Sequence, residues 1–338
     1  MPDASDSPAA RDGLLARLAQ RRLLVVTGKG GVGKTTVAAV LGRRLAAGGA
    51  RRVLVLEVDP RENLHHALDL PPSGGEVGDA GGGLWLQNLK PRAVIDRIVR
   101  ERVPLGTVAR RVLGSTVYQH FTEGAPGLRE VAVLGHALRK VRGLDGGPGE
   151  PFDLVVLDAP ATGHGVSLLA APRLLSEVIR QGPFGEMGGE LAGFVADPEQ
   201  CAVVVVTAPE EMPVAEALQV QDLLRDNLGR EPDLLLVNGC YPPAPAEPGD
   251  DPALALWRRR RRLQEREIER LAASWRGPWA CLPELPLDRG PELVAALGRC
   301  LERELGQRDG EGSRDLGAGR PGGRASEGNP PAAPEDPQ

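Results

Sequence analysis

Residues 28 to 36 form a glycine-rich run, Gly28-Lys29-Gly30-Gly31-Val32-Gly33-Lys34-Thr35-Thr36. The run fits the pattern G-x-x-x-x-G-K-[ST]. It lies between a strand-like stretch from Leu23 to Val26 and a helix-like stretch from Val37 to Ala47, which is the context that the pattern requires. Glycines let such a loop turn tightly enough to point several backbone N–H groups at phosphate oxygens. The sequence therefore predicts a nucleoside triphosphate site formed by the residues of this run.

Two side chains at the end of the run have separate predicted roles. The ammonium group of Lys34 is expected to reach the β- and γ-phosphates, and the hydroxyl of Thr35 is expected to hold Mg²⁺. The helix that begins near Lys34 would turn the positive end of its dipole toward the phosphates. A nucleoside triphosphate with Mg²⁺ is the ligand that this chemistry predicts.

Lys29 is an additional lysine in a loop that ordinarily needs one, although arginine far outnumbers lysine in this chain. The string GKGGVGKTT resembles the deviant phosphate loop of the class that contains the ArsA arsenite-pump ATPases, the tail-anchored-protein targeting ATPases, the ParA and MinD partition ATPases and nitrogenase iron protein. In that class the additional lysine crosses a dimer interface to the partner's nucleotide. The resemblance implies that Lys29 is catalytic and that the protein is a sandwich dimer that hydrolyses ATP.

Two further segments resemble the ArsA-like branch of this class. Asp59-Pro60-Arg61-Glu62-Asn63-Leu64 follows an apolar strand and is similar to the D-P-A-H-N-L first switch of that branch. The resemblance implies that Asp59 positions and polarises the attacking water and that Asn63 belongs to the nucleotide site. Arg61 and Glu62 stand where the family has Ala-His.

The second segment begins at the end of another apolar strand. Asp158-Ala159-Pro160-Ala161-Thr162-Gly163-His164 resembles the family signature D-T-A-P-T-G-H, with the acid and the final three residues in register. By this resemblance Asp158 contacts Mg²⁺ through water. Thr162 to His164 would form the second switch, which senses the γ-phosphate.

Two later positions match the same family. Ala208-Pro209-Glu210 follows a valine-rich strand and resembles the family's P-E turn, which places Glu210 near the nucleotide at the dimer interface, while Glu216 corresponds to an acid of the next helix. Asn238 ends another strand and corresponds to the asparagine that reads adenine, for which an amide offers both a donor and an acceptor. The stretch Leu285 to Arg289 would belong to the loop flanking the base.

The composition fits one α/β protein. The chain has 338 residues and a net charge of -5, which gives no general attraction to nucleic acid. Valine-rich strands alternate with helical stretches, which predicts a P-loop NTPase fold with a doubly wound, mainly parallel sheet and a small helical subdomain inserted around the switches. No apolar run is long enough to span a bilayer and Met1 to Asp12 do not resemble a signal peptide, so we expect a cytoplasmic protein.

The domain boundaries follow from composition and from the resemblance. We expect a flexible N-terminal segment (1–20), an ATPase domain (21–306) and a disordered C-terminal tail (307–338). Helical apolar spacing and the family pattern place the client-binding helical subdomain at about 91–142 and 168–197.

Some side chains that could suggest other functions are better explained as structural. The arginine run 258–262 is followed by glutamates on the same predicted helix, which indicates a solvated face rather than a nucleic-acid site. The chain has four widely spaced cysteines and no C-x-x-C, which favours buried, inert thiols and gives no reason to expect zinc. The cysteines are Cys201, Cys240, Cys281 and Cys300.

The sequence leaves two functions open. The first is an ATP-hydrolysing dimeric switch that couples Mg-ATP binding and hydrolysis to a client or transport partner. The second is a weakly active, nucleotide-gated binding subunit of a heterodimer with a related ATPase. The presence of Lys29, Lys34 and Asp59 favours the first, and the identity of the client is not encoded in any recognisable motif.

Overall fold

The computed structural model describes residues 13–59, 61–102, 106–125, 127–144, 151–160, 165–179, 183–243 and 251–310. Their strands form one sheet in the order β3-β4-β2-β5-β1-β6-β7-β8. The strands are β1 (Leu23–Thr27), β2 (Val53–Glu57), β3 (Gly78–Gly81), β4 (Leu84–Asn88), β5 (Leu154–Asp158), β6 (Cys201–Thr207), β7 (Leu234–Cys240) and β8 (Trp279–Pro283). The helices are α1 (Leu14–Ala19), α2 (Lys34–Leu45), α3 (Asn63–Ala67), α4 (Pro91–Arg102), α5 (Gly106–Leu113), α6 (Thr116–Gly124), α7 (Leu128–Arg142), α8 (Gly165–Val178), α9 (Pro183–Ala196), α10 (Glu211–Leu228), α11 (Pro252–Ser274) and α12 (Pro291–Gly310).

The sheet is parallel except at one edge, where β3 pairs with β4 in the antiparallel direction. Every residue of β1, β2, β5 and β6 is buried. Helices cover both faces of such a sheet, which explains why these strands read as continuous runs of valine and leucine. The predicted α/β class and the doubly wound, mainly parallel sheet are confirmed.

The strand order reverses on the two sides of β1. Chain order runs outward through β6, β7 and β8 on one side, whereas β5, β2 and β4 lie on the other. Ligands of open parallel sheets bind beyond the carboxyl ends of the strands at this reversal point. The glycine-rich run leaves β1 at that end, so the topology places the predicted phosphate loop where the fold can receive a ligand.

Two apolar layers hold the helices against the sheet. Buried residues of α1, α2 and α12 pack on one face, and those of α4, α7, α8, α9 and α10 pack on the other. Within the described part of the chain, none of the helices combines the length and apolar character needed to cross a membrane.

The order at the two ends of the ATPase domain extends beyond the predicted boundaries. Leu14 and Leu18 of α1 are 8% and 1% exposed, because one apolar stripe of this short helix faces the layer that contains α12. The segment predicted to be flexible therefore includes an ordered, packed helix. Helix α12 continues to Gly310, past the predicted boundary at residue 306. Thr162 to His164 and most of the predicted tail lie outside the described residues.

Candidate nucleotide site

A cavity of about 310 Å³ opens at the carboxyl ends of β2 and β5, beside the start of α2. Its polar wall contains Lys34 to Thr36 of the phosphate loop, three acids, Asn63 and one arginine, and the acids are Glu57, Asp59 and Asp158. The arginine is Arg289. Most of the side chains with a predicted phosphate or metal role therefore meet in one place.

Close packing determines where the loop must carry glycine. Gly28 has φ +145°, and a Cβ atom there would lie 2.1 Å from the carbonyl oxygen of Val206. Gly33 has φ +91°, and its Cβ atom would lie 2.3 Å from the amide nitrogen of Asn238. The Val206 oxygen belongs to the backbone of β6, so a larger residue at position 28 would force the loop away from the sheet. A larger residue at position 33 would displace the Asn238 side chain and would be strained by the positive φ.

Lys34 is buried, with 7% of its surface exposed, and its ammonium group donates a hydrogen bond to the carbonyl oxygen of Lys29 at 2.8 Å. Burial lowers the pKa of Lys34, and the charge of Asp158 partly opposes this effect. A buried cation without a full anionic partner is unfavourable. An anion such as a phosphate group would therefore stabilise the site.

Thr35 and Asp158 form a direct pair across the cavity. The hydroxyl of Thr35 donates to Oδ2 of Asp158 at 2.6 Å, and Oδ1 of Asp158 is buried without a hydrogen-bond partner among the described residues. Burial raises the pKa of Asp158 to about 6, the Thr35 hydroxyl and the Lys34 charge lower it, and Asp59 raises it further.

These atoms fit the predicted Mg²⁺. Hydroxyl and carboxylate oxygens are the ligands that Mg²⁺ prefers, and the unpaired Oδ1 of Asp158 could accept from a water bound to the ion. Among the described residues, no group of three or more His, Cys, Asp or Glu side chains is arranged to hold a metal by itself. Mg²⁺ that arrives with nucleotide phosphates does not need such a cage.

Asp59 lies on the wall of the cavity immediately after β2. Its carboxylate Oδ1 accepts from the backbone N–H of Arg61 at 2.7 Å, and its carbonyl oxygen accepts from the side-chain amide of Asn88 at 2.6 Å. Asn88 is the last residue of β4 and is buried. The predicted first switch is thus held by its backbone from a neighbouring strand, while the carboxylate faces the cavity.

Glu62 is one of the two residues of the first switch that depart from the family pattern, and its side chain anchors this segment. Glu62 has φ +49°, an uncommon conformation for a residue other than glycine, and it stands at the start of α3. Its carboxylate accepts from the backbone N–H groups of Ser73 and Gly74 at 2.6 and 3.2 Å. Glu62 therefore ties the first switch to the loop before β3.

Glu57 is a member of the site that the sequence analysis missed. It is 1% exposed, and both carboxylate oxygens lie 3.1 Å from the backbone N–H of Leu64 in α3. Burial raises the pKa of Glu57 to about 7; the Leu64 N–H lowers it, and Asp158 and Asp59 raise it further. An acid within the apolar strand 53–58 was the sequence signal that could have found it.

The pKa of Glu57 predicts how protein stability depends on pH in the absence of nucleotide and metal. The pKa of Glu57 in the folded protein lies above its value in the unfolded chain. The contribution of Glu57 to the free energy of unfolding is therefore fully present below the unfolded pKa near 4.5, and it is lost as the pH rises through about 7. Glu57→Gln removes this dependence and keeps an acceptor for Leu64. We expect the melting temperature of the variant to rise relative to wild type between pH 5 and 7.5 by roughly 2–4 °C.

Calorimetry of both proteins across this pH range measures the difference. The comparison with wild type removes the contributions of all other titrating groups that the two proteins share. A difference in melting temperature that stays constant from pH 5 to 7.5 would contradict the raised pKa.

Lys29 does not line the cavity, and its ammonium group lies 2.9 Å from a carboxylate oxygen of Glu216 in α10. Glu210 is exposed at the start of α10, and its side chain makes no capping hydrogen bond there. The structure of one chain therefore keeps both residues outside the phosphate cavity. Their predicted roles across a dimer interface stay predictions.

Asn238 lies against the phosphate loop near the end of β7. Its amide nitrogen donates to the carbonyl oxygen of Val32 at 3.0 Å. This contact fixes the side chain relative to the loop, and the amide oxygen makes no hydrogen bond with any residue that the structure describes. The role of Asn238 in reading a base stays a prediction.

The expectation of buried thiols is wrong for three of the four cysteines. Cys201 is buried, and burial raises its pKa to about 12, but the other three are half-buried. They line a second cavity of about 430 Å³, where β7, β8 and α12 meet, and they are Cys240, Cys281 and Cys300. Sequence spacing could not reveal this because the three elements become neighbours only in the folded sheet.

Residues 21–192, just over half of the chain, match the family model ArsA ATPase, described as anion-transporting ATPase. The chain belongs to the ArsA family. The predicted family is therefore confirmed, and the phosphate loop, Asp59 and Asp158 all fall within the matched residues.

Three relatives illustrate the range of ArsA-family proteins that the chain resembles. It is 31% identical over 224 residues to ATPase BagA of Mycobacterium tuberculosis, a match covering 65% of each chain. It is 29% identical over 283 residues to the arsenical pump-driving ATPase of Escherichia coli, covering 78% of this chain and 45% of the relative. It is 27% identical over 181 residues to ATPase GET3 of Kluyveromyces lactis, covering half of each. The matches thus span less than two thirds of each relative's length.

Proposed function

We propose that this ArsA-family protein binds Mg-ATP in the cavity beside α2 and hydrolyses it as a dimeric molecular switch. The observation that carries the proposal is the arrangement of Lys34, Thr35 and Asp158, in which a buried ammonium, a hydroxyl and an unpaired carboxylate oxygen face the same space. The names of the relatives, which describe ATPases, support ATP as the nucleotide.

Each residue has a chemical task in this proposal. Lys34 and the N–H groups at the start of α2 would bind the phosphates, and Thr35 and Asp158 would hold Mg²⁺, which would neutralise phosphate charge. Asp59 accepts a hydrogen bond from the attacking water and orients it toward the γ-phosphate. The side-chain amide of Asn88 donates to the backbone carbonyl oxygen of Asp59. This bond holds the Asp59 backbone, so the Asp59 carboxylate stays directed at the cavity.

Hydrogen bonds from the end of β4 lead toward the helices of the predicted client region. Gln87 precedes Asn88, and its side-chain oxygen lies 2.9 Å from Nε2 of His136 in α7. Nδ1 of His136 lies 3.0 Å from the guanidinium of Arg97 in α4. We assign the coupling of nucleotide state to a client or transport partner to this contact between the first switch and helices α4 and α7.

The dimer part of the proposal rests on Lys29. Its ion pair with Glu216 in the same chain is half-exposed, so exchanging it for a phosphate of the partner subunit costs little. In the closed dimer each Lys29 would neutralise charge that develops on the partner's phosphates during transfer. ATP would then favour closure, and hydrolysis would favour opening.

Subunit mixing tests this exchange. We expect Lys29→Ala to retain ATP binding and to lose at least tenfold in turnover, while Asp59→Asn is inactive for a different reason. In a mixed dimer the site with Asp59 receives the intact Lys29 of the other subunit, so an equimolar mixture should recover roughly a quarter of wild-type turnover if subunits exchange freely. Steady-state phosphate release from each variant and from the mixture measures the recovery.

Glu216→Ala is the matched control, because it removes the partner of Lys29 within the chain and leaves the lysine in place. Its turnover should stay within about twofold of wild type, as expected for the loss of an exposed ion pair. Full activity of Lys29→Ala, or wild-type turnover per subunit that does not change with protein concentration across monomer and dimer, would refute the exchange.

The same turnover measurements test the second function, a weakly active binding subunit of a heterodimer with a related ATPase. The ion pair of Lys29 with Glu216 is the observation that favours it, since Lys29 must leave this pair before it can reach a partner. A weakly active subunit would gain turnover only when a related ATPase is added. Turnover by the purified chain alone would exclude this alternative.

A further inference from the structure

The loop between β8 and α12 enters the phosphate cavity. The sequence assigned Leu285 to Arg289 to the neighbourhood of the base, yet Arg289 lines the cavity together with Thr36, Asp59 and Asn63. This arginine is exposed, so its presence in the wall does not come from core packing. Its position relative to the predicted phosphates therefore needs an explanation.

The path of the loop explains how Arg289 reaches this position. A Cβ atom at the next residue, Gly290, would lie 3.4 Å from a carboxylate oxygen of Asp69, which follows α3. Helix α12 begins directly after Gly290 and packs against α2. The loop thus runs from the edge of the sheet near β7 to the end of α3, beside the first turn of α2.

Arg289 differs from the two lysines of the phosphate loop because both lysines have a partner within the described part of the chain. Lys34 donates to a carbonyl oxygen of the loop, and Lys29 is paired with Glu216. Arg289 has no hydrogen bond or ion pair with any described residue, although three carboxylates line the same cavity. An arginine left unpaired beside a phosphate loop is arranged to bind an anion that arrives with the ligand.

We propose that Arg289 binds the α- or β-phosphate of the nucleotide held by its own subunit, an inference that rests on the proposed function. Thr35, Asp59 and Asp158 line the part of the cavity where the metal and the γ-phosphate would lie. Arg289 also shares the wall with Thr36, the last residue of the phosphate loop, and the backbone N–H groups of such a loop hold the α- and β-phosphates. The phosphates nearest the loop are the two that ATP and ADP share.

Arginine suits this task better than lysine. Its planar guanidinium can donate two parallel hydrogen bonds to two phosphate oxygens, whereas an ammonium group acts as a point charge. Because Arg289 donates to phosphates that remain after hydrolysis, it would hold ADP as firmly as ATP. It is therefore assigned to nucleotide binding and not to the transfer step.

The test compares binding of Mg-ADP and of a Mg-bound, non-hydrolysable ATP analogue by calorimetry. Arg289→Ala should weaken both ligands by the same factor, about tenfold, which is the scale of one charge-assisted hydrogen bond. The affinity of Arg289→Lys for both ligands should lie between that of Arg289→Ala and that of wild type, since lysine keeps the charge and loses the paired hydrogen bonds of the guanidinium. Arg299→Ala, an exposed arginine of α12 without a hydrogen-bond or ion-pair partner among the described residues, is the matched control and should stay within about twofold.

Two results would overturn the inference while the proposed function survives. One is binding by Arg289→Ala equal to that of Arg299→Ala. The other is a loss confined to the ATP analogue, which would place the contact at the γ-phosphate. If wild type binds neither nucleotide, the proposed function fails and the role of Arg289 fails with it.

Discussion

Replacing Lys34 by alanine is expected to weaken the binding of both Mg-ATP and Mg-ADP by about 10³-fold. Its ammonium group is buried at the phosphate loop and is directed by the Lys29 carbonyl oxygen. Two charge-assisted hydrogen bonds to phosphate oxygens contribute about 2 kcal/mol each, which together correspond to this factor. Titration calorimetry with the non-hydrolysable ATP analogue and with ADP measures the loss directly.

Lys90→Ala is the control for this substitution. Lys90 is an exposed lysine at the end of the β4–α4 connection and does not line the cavity, so its loss removes the same charge from the chain without touching the site. Nucleotide affinity within about threefold of wild type in Lys34→Ala, with normal folding by circular dichroism, would show that the cavity is not a phosphate site.

Replacing Asp59 by asparagine is expected to reduce turnover by about 10²-fold or more while the affinity for ATP stays within about threefold. Asparagine has nearly the same shape and keeps an oxygen that can accept from the Arg61 N–H, so the switch retains its local structure. It cannot orient and polarise water as a carboxylate does. Single-turnover phosphate release at saturating ATP, together with binding of the non-hydrolysable analogue, separates the two effects.

Asp226→Asn is the matched control, because Asp226 is an exposed acid of α10 far from the cavity in sequence and topology. Its turnover should equal that of wild type. If Asp59→Asn lost binding and turnover to the same degree, Asp59 would be a binding residue and the water-positioning role would be wrong. Unchanged turnover in Asp59→Asn would assign that task to another acid, with Glu57 the nearest in the chain.

The site shows clearly which residues a sequence can identify. The loop from Gly28 to Thr36, Asp59 and Asp158 are each attached to the end of a strand, and the order of strands in a wound sheet brings those ends together. A local pattern therefore predicted their meeting, and the structure places Lys34, Thr35, Asp59 and Asp158 around one cavity.

Other residues could not be assigned in this way, for reasons that differ. Glu57 lies inside an apolar strand, and its hydrogen bond with the Leu64 N–H depends on how the chain returns after the first switch. Arg289 is far from the phosphate loop along the chain and reaches the cavity only through the packing of α12 on α2. The convergence of three thiols depends on the pairing of β7 with β8.

The sequence by itself determined the fold class, the family and the location of the phosphate loop, because hydrophobic patterning and glycine placement act over short stretches of chain. Only the tertiary structure decided the partners of individual polar side chains. It joins Lys29 to Glu216, Asn88 to Asp59 and Glu57 to Leu64. These contacts depend on distances of a few ångströms between segments that are separate in sequence, and the balance of burial, charge and hydrogen bonding that selects them exists only after the sheet and its helices have packed.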